Sequence, residues 1–278
     1  MKNRIETDRL ILKETGEFIG DCGVTMQNID GEMLPEIGYH IQKKHWRKME
    51  GTKIKINNIP ALIWGEKSDK VYLCVHGKMS SKESAKGIAK IAAQRGYQTI
   101  SFDLPEHGER IGEGRRCDIW NGIQDLNAIG DYVFSKWKEV SLYACSLGAF
   151  FCLNTYHTRD IKKCLFQSPI LDMEYLIKQM MLWFDISEER LEAEKEIDTP
   201  IDVMTWDYYQ YVKEHPIQKW DAPTNILFGG RDDLQSLEIV KKFVEKYDCT
   251  LTFSENSEHP FMEEKDIKIV EQWLRDNL

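Results

Sequence analysis

The sequence has no apolar run that approaches the ~20 residues a membrane-crossing helix needs. Its opening, Met1 to Asp8, lacks the apolar core of a signal peptide, so no export signal is expected. Positive charge is in short supply. There are 37 Lys and Arg against 46 Asp and Glu, for a net charge of −9. A nucleic-acid partner selects for a basic face, so none is expected. Cys-x-x-Cys pairs and metal-ligand spacings are missing from the seven cysteines. Their number is odd, and Cys74, Cys145, Cys152 and Cys164 fall in apolar runs, where a thiol acts as a small hydrophobe. Reduced thiols in a cytosol, and so a cytoplasmic protein, are the simplest consequence. Neither an internal repeat nor a low-complexity linker occurs. What remains is 278 residues with 42% hydrophobic and 30% charged content, which suits one large soluble α/β domain plus a small extra piece.

Two patterns divide the chain near residue 51. Before it, short strands follow one another at Thr7–Leu12, Gly16–Val24 and Glu36–Ile41, and a basic turn over Lys43–Lys48 holds Trp46. Three strands without covering helices bury little. The blocks Thr7-Asp8-Arg9-Leu10-Ile11-Leu12, Gly16-Glu17-Phe18-Ile19-Gly20 and Glu36-Ile37-Gly38-Tyr39 resemble the GCN5-related N-acetyltransferases, which carry them in the same order. In that family a Gly-rich loop follows and holds the coenzyme A pyrophosphate. Here the resemblance ends in Met49-Glu50-Gly51-Thr52. Residues 1–50 are therefore expected to form a truncated acetyltransferase-like β segment without acetyltransferase activity. It would pack on the main domain or mediate pairing into a homodimer. An unrelated β extension is the alternative.

From residue 51 strands and helices alternate, which implies a mostly parallel sheet with helices on both faces. Lys53–Asn57 and Ala61–Trp64 read as a leading antiparallel pair. Strands are expected at Val71–Val75, Thr99–Phe102, Val140–Tyr143, Lys163–Gln167, Asn225–Phe228 and Thr250–Phe253. Helices are expected over Ser81–Arg95 with Gly96 as a stop, Asp118–Trp137, Leu237–Lys246 and Glu263–Leu274. Residues 172–219 break the alternation. They read as helical and carry Met180–Phe184, Trp206, Tyr208, Tyr209 and Tyr211. A cap over a pocket is one reading and plain helix core is the other.

One stretch organises the second part of the chain. Val140-Ser141-Leu142-Tyr143 is a strand, Leu147 to Asn154 starts a helix, and Ala144-Cys145-Ser146-Leu147-Gly148 joins them. Small-x-Ser-x-small between a strand and a helix is the pattern of a nucleophile elbow, with Ala144 where Gly is commoner. The helix dipole and free N–H groups there favour developing negative charge. A serine nucleophile needs a base, an acid to orient it and an oxyanion hole. His259 follows the last strand, and Asp232 follows the strand before it through Gly229-Gly230. The backbone N–H of Leu147 supplies one oxyanion donor. The His76-Gly77-Lys78-Met79 loop supplies the second, through Lys78 N–H. A further block reads Asp103-Leu104-Pro105-Glu106-His107-Gly108.

These motifs fall in one order, and together residues 51–278 resemble the α/β-hydrolase superfamily, nearest to its esterase, acylglycerol lipase and serine aminopeptidase-like branch. The resemblance implies an α/β-hydrolase fold with a helical cap over about 172–219, and a Ser146–Asp232–His259 triad. Ala144 departs from the pattern, as does Glu258-His259-Pro260, where a Gly commonly precedes the His. Asp233 and, one strand earlier, Asp172 are rival acids. Cys145 stands beside the serine, but an elbow presents a single side chain. His76 and His107 read as loop-structuring, and His45, His157 and His215 as surface. The expected activity is hydrolysis of a carboxylic ester through an acyl-enzyme, with a small-molecule ester or acyl substrate and no metal or organic cofactor. A thioester or small-peptide amide bond is the alternative within the same chemistry. A catalytically silent fold used for binding is the alternative outside it.

Overall fold

The computed structural model describes residues 10–14, 17–29, 32–41, 51–259 and 261–278, the first three ranges as backbone strands. The chain divides into two compact units, Met1–Gly51 and Thr52–Leu278. In the first, β1 (Leu10–Glu14), β2 (Glu17–Ile29) and β3 (Glu32–Ile41) form an antiparallel meander. Its register pairs Leu10 with Cys22 and Cys22 with Tyr39. The ladder runs through Pro35, opposite Met26, because β3 is an edge strand where a proline is tolerated. The Thr7–Arg9 start of the first expected strand, the Lys43–Lys48 turn with His45, and Met49-Glu50 lie outside the described residues.

The second unit opens with the hairpin of β4 (Thr52–Ile56) and β5 (Ile59–Trp64). Asn57 and Asn58 turn it with φ of 47° and 69°, the left-handed pair that matches strand twist in a two-residue loop. There follow β6 (Lys70–Val75), helix α1 (Lys86–Gln94), β7 (Gln98–Phe102) and α2 (Ile119–Lys136), which Asp118 caps. Next come β8 (Glu139–Cys145), α3 (Leu147–Thr155) and β9 (Cys164–Gln167). Between β9 and the following sheet strand stand α4 (Met173–Trp183), α5 (Glu188–Glu194), β10 (Glu196–Asp198), β11 (Val203–Thr205) and α6 (Trp206–Glu214). The chain ends with β12 (Thr224–Gly229), α7 (Leu237–Lys246), β13 (Thr250–Ser254) and α8 (Glu264–Asn277).

The eight-stranded sheet runs β13-β12-β9-β8-β6-β7-β5-β4. Its strands run parallel except for β5, which pairs antiparallel with both β4 and β7. The period-2 alternation of β6 shows the layering. Val71, Leu73 and Val75 face a core shared with α2 and α3, whereas Tyr72 and Cys74 face one shared with α1 and α8. Helix α3 is buried along almost its whole length, which explains why its sequence is apolar all round. Among the described residues, no helix is long and apolar enough to cross a membrane.

Two segments differ from expectation. The Ser81–Arg95 region begins with a 3₁₀ turn over Lys82–Ala85 before α1. Lys82 sinks to 1% exposure there, and its Nζ lies 2.7 Å from Asp103 Oδ2 while its N–H donates to Asp103 Oδ1. Segment 172–219 is not wholly helical, because β10 and β11 pair antiparallel as a hairpin. Thr199 Oγ1 accepts the N–H groups of Ile201 and Asp202, and that side-chain turn around Pro200 holds the reversal.

Candidate functional site

Ser146 stands where β8 gives way directly to α3, at the middle of the sheet. Its φ of 50° and ψ of −120° place a non-glycine residue in a strained region. The strain follows from crowding. A Cβ on Gly148 would meet the carbonyl oxygens of His76 and Val75 at 2.5 and 2.6 Å, so the turn presses against the end of β6. Ala144 lies inside β8 instead, paired with Val75 and Phe166, where its methyl group is buried without conflict.

His259 Nε2 lies 2.8 Å from Ser146 Oγ, and His259 Nδ1 lies 2.6 Å from Asp232 Oδ2. With Nδ1–H donating to the carboxylate, Nε2 is the free lone pair that accepts from the serine hydroxyl. The Asp232 side chain is fully buried, and its Oδ1 accepts the N–H groups of Leu234 and Gln235 at 2.9 and 3.1 Å. The two loops are stitched together, since Gly230 N–H donates to Ser254 O and Arg231 N–H to Ser257 O at 2.8 and 3.0 Å. Glu258 points to solvent, so a side chain before the histidine is accommodated. Asp233 is exposed. Asp172 instead caps α4, its Oδ1 accepting Tyr175 N–H at 2.8 Å. The Cys145 thiol is pushed up to about 12 by burial and stays protonated.

Leu147 opens α3, so its N–H has no intrahelical partner. Lys78 N–H belongs to the peptide whose carbonyl, Gly77 O, accepts from His76 Nδ1 at 2.7 Å. Carbonyl and N–H point in opposite directions across a trans peptide, so this bond turns Lys78 N–H away from the imidazole. His76 Nε2 accepts Leu104 N–H at 3.1 Å. His107 repeats the device, donating from Nδ1 to Pro105 O at 2.7 Å and accepting Met79 N–H at Nε2 at 3.0 Å. Burial lowers the pKa of His76 to about 4, which keeps it neutral and able to accept. His157 and His215 are exposed.

A cavity of about 120 Å³ reaches Ser146 and Leu147. Helix α4 lines one side with Met173, Leu176, Ile177 and Met180, and the β10–β11 turn and α6 line the other with Asp202 and Tyr208 among others. Lys78 Nζ forms an ion pair with Asp202, tying the loop after β6 to that turn. Two features had no signal in local sequence. Buried Gln235 bridges the Asp232 loop to the start of α4, accepting Asp172 N–H at 2.9 Å and donating to Asp172 O at 3.0 Å. The buried Lys82–Asp103 pair anchors the loop that carries His107. Among the described residues, no group of three or more His, Cys, Asp or Glu side chains is arranged to hold a metal ion.

No protein-family model matches the chain. The uncharacterized protein YkkB of Bacillus subtilis is 47% identical over 34 residues, which span 12% of this chain and only 20% of that relative. Solved structures match far more of it. Est1E from Butyrivibrio proteoclasticus with bound ferulic acid superposes with a TM-score of 0.66 at 16% identity, over 81% of this chain and 96% of that one. Mouse alpha/beta hydrolase domain-containing protein 10 gives 0.67 at 15% identity, over 82% and 97%. The monoacylglycerol lipase of Paleococcus ferrophilus gives 0.56 at 17%, over 78% and 98%. At these identities the likeness is one of fold.

Proposed function

Residues 52–278 have the α/β-hydrolase fold, and from that premise we propose that the protein is a serine hydrolase cleaving the carboxylic ester of a small acyl group. Ser146 Oγ attacks the ester carbonyl while His259 Nε2 takes its proton. Asp232 holds the imidazole in the right tautomer and stabilises the imidazolium. The Lys78 and Leu147 N–H groups stabilise the oxyanion. The tetrahedral species collapses, His259 returns the proton to the departing alcohol, and the acyl group stays on Ser146. Water, activated by His259, then releases the acid.

The observation that carries this proposal is the unbroken Ser146–His259–Asp232 hydrogen-bond chain, with links of 2.8 and 2.6 Å. The cavity supports a small acyl group. At about 120 Å³ it is smaller than the roughly 150 Å³ apolar cavity that holds a benzene ring. The lipase name of one structural neighbour supports ester chemistry by analogy of fold alone. The six free cysteines among the described residues fit a reducing compartment such as the cytosol. A fluorophosphonate probe tests the proposal. It should label the wild-type chain and leave Ser146→Ala unlabelled. A folded wild-type protein that takes no label, or a Ser146→Ala protein that takes as much, would contradict it.

A further inference from the structure

Gln235 lies in the irregular loop between β12 and α7, three residues after Asp232, and is only 1% exposed. A side-chain amide can accept two hydrogen bonds at its oxygen and donate two from its nitrogen. All four are made here. Oε1 accepts the N–H groups of Leu171 and Asp172 at 3.0 and 2.9 Å. Nε2 donates to Asp172 O and Leu234 O at 3.0 and 2.7 Å. Two N–H groups at one end and two carbonyls at the other fix which end is oxygen. With Asp172 the amide exchanges one accepted and one donated bond, as a neighbouring strand would. The contact reaches across 63 residues of chain.

These bonds close a ring. Ile170 N–H donates to Ser146 O at 3.2 Å, so the segment Ile170–Asp172 is held to the backbone of Ser146 itself. Gln235 grips the same segment at Leu171 and Asp172. Its own backbone N–H donates to Asp232 Oδ1 at 3.1 Å. Asp232 Oδ2 meets His259 Nδ1, and His259 Nε2 meets Ser146 Oγ. The path leaves Ser146 at its carbonyl and returns at its hydroxyl. The bonds from Gly230 and Arg231 tie the Asp232 loop to the loop that carries His259. Those of the Gln235 side chain tie it to the segment that Ser146 holds.

We propose that Gln235 is a positioning residue for the reaction: it keeps the Asp232 carboxylate in register with Ser146, so that His259 meets both at once. It acts through the loop and not on the reacting atoms. This inference rests on the serine-hydrolase proposal for what the three side chains do, and on the closed ring for how they are placed. Register of this kind matters, because a misplacement of about 1 Å can cost about 10²-fold in rate.

The test is a double-mutant cycle, read in kcat on one activated short-chain aryl ester. Gln235→Met keeps the length of the side chain and removes its four hydrogen bonds. Gln235→Asn keeps the amide but withdraws it by one methylene, so that water can take the freed backbone groups. It is the variant to read if Gln235→Met does not fold. With Asp232 present, the substitution should lower kcat about tenfold or more. In an Asp232→Asn background it should lower kcat by no more than about twofold, because a residue that acts through the carboxylate then has nothing left to place. The same factor in both backgrounds would show a purely structural role and overturn the proposal. Undiminished kcat in the Gln235 variants would overturn it as well. The His259 tautomer, read from its ring nitrogen shifts by NMR in the intact folded proteins, gives a reading independent of turnover. Wild type should carry its proton on Nδ1, facing Asp232, and the Gln235 variants should mix the two tautomers. A tautomer that the substitution leaves unchanged overturns the proposal. If no ester is cleaved, the hydrolase proposal fails, and the tautomer alone decides this one.

Discussion

His107 Nε2 accepts the backbone N–H of Met79 at 3.0 Å, across 28 residues of chain. Met79 sits at φ 60° on an exposed loop, so its backbone needs an external hold. Its neighbour Lys78 carries the N–H assigned to the oxyanion. Under the proposed chemistry His107 acts at a distance from the ester, by fixing the peptide that follows that donor.

Replacing His107 by Ala should lower kcat by roughly 10–100-fold with a much smaller change in KM, since an oxyanion donor acts on the transition state and losing one outright costs about 10²–10³-fold. His107→Asn keeps an acceptor and should recover part of the loss. Steady-state kinetics on one short-chain ester checks both. An effect confined to KM would remove His107 from this role.

His76 carries a pH signature. Burial depresses its pKa from the ordinary 6.5 to about 4, so the unfolded chain binds a proton that the folded chain refuses. The stability associated with neutral His76 is complete above about pH 6.5 and declines as pH falls toward about 4, by at most about 1.4 kcal/mol per pH unit. NMR titration of the His76 ring checks the premise. A midpoint of about 4 is expected, and one at the ordinary 6.5 would contradict it.

The acid can be separated from its neighbour. Asp232 is buried against His259, whereas Asp233 is exposed. Asp232→Asn should cut kcat by roughly 10²–10⁴-fold while keeping the fold. Asp233→Asn should change it within about fivefold, as for other surface substitutions. Reversed effects would move the acid by one residue. If both variants stay active, Asp172 is next, although its carboxylate caps α4.

Two glycines should respond in opposite senses. Gly148→Ala forces a methyl group to within 2.6 Å of two carbonyl oxygens and should lose at least about 1–3 kcal/mol, as overpacking does. Gly87 lies in α1 with open space where a Cβ would stand. Gly87→Ala should gain about 0.4–1 kcal/mol by restricting the unfolded chain. Urea denaturation of the two variants measures both signs.

The frame of the second unit was legible in the sequence because buried parallel strands and amphipathic helices leave strong periodic signals. Val71–Val75 and the Ile119–Val133 face are examples. The positions of Ser146, Asp232 and His259 were legible as motifs at strand ends. The hairpin at Glu196–Thr205 was not, since two three-residue strands are too short to show a period. Nor were the contacts that join distant segments. Lys78 meets Asp202 across 124 residues, and Lys82 meets Asp103 across 21, and no local pattern marks either. Lys82 falls within the helix expected over Ser81–Arg95, yet it is buried by a partner that only the folded chain supplies.

The central claim is that an acyl group passes through Ser146. The most direct measurement is a rapid quench of the wild-type protein with an activated short-chain ester, followed by intact-mass and peptide-mass analysis. The account predicts one added acyl group per chain, carried by the peptide that contains Ser146 and lost as hydrolysis completes. An acyl group on Cys145 instead, or turnover of the ester with no acylated protein at any quench time, would contradict it.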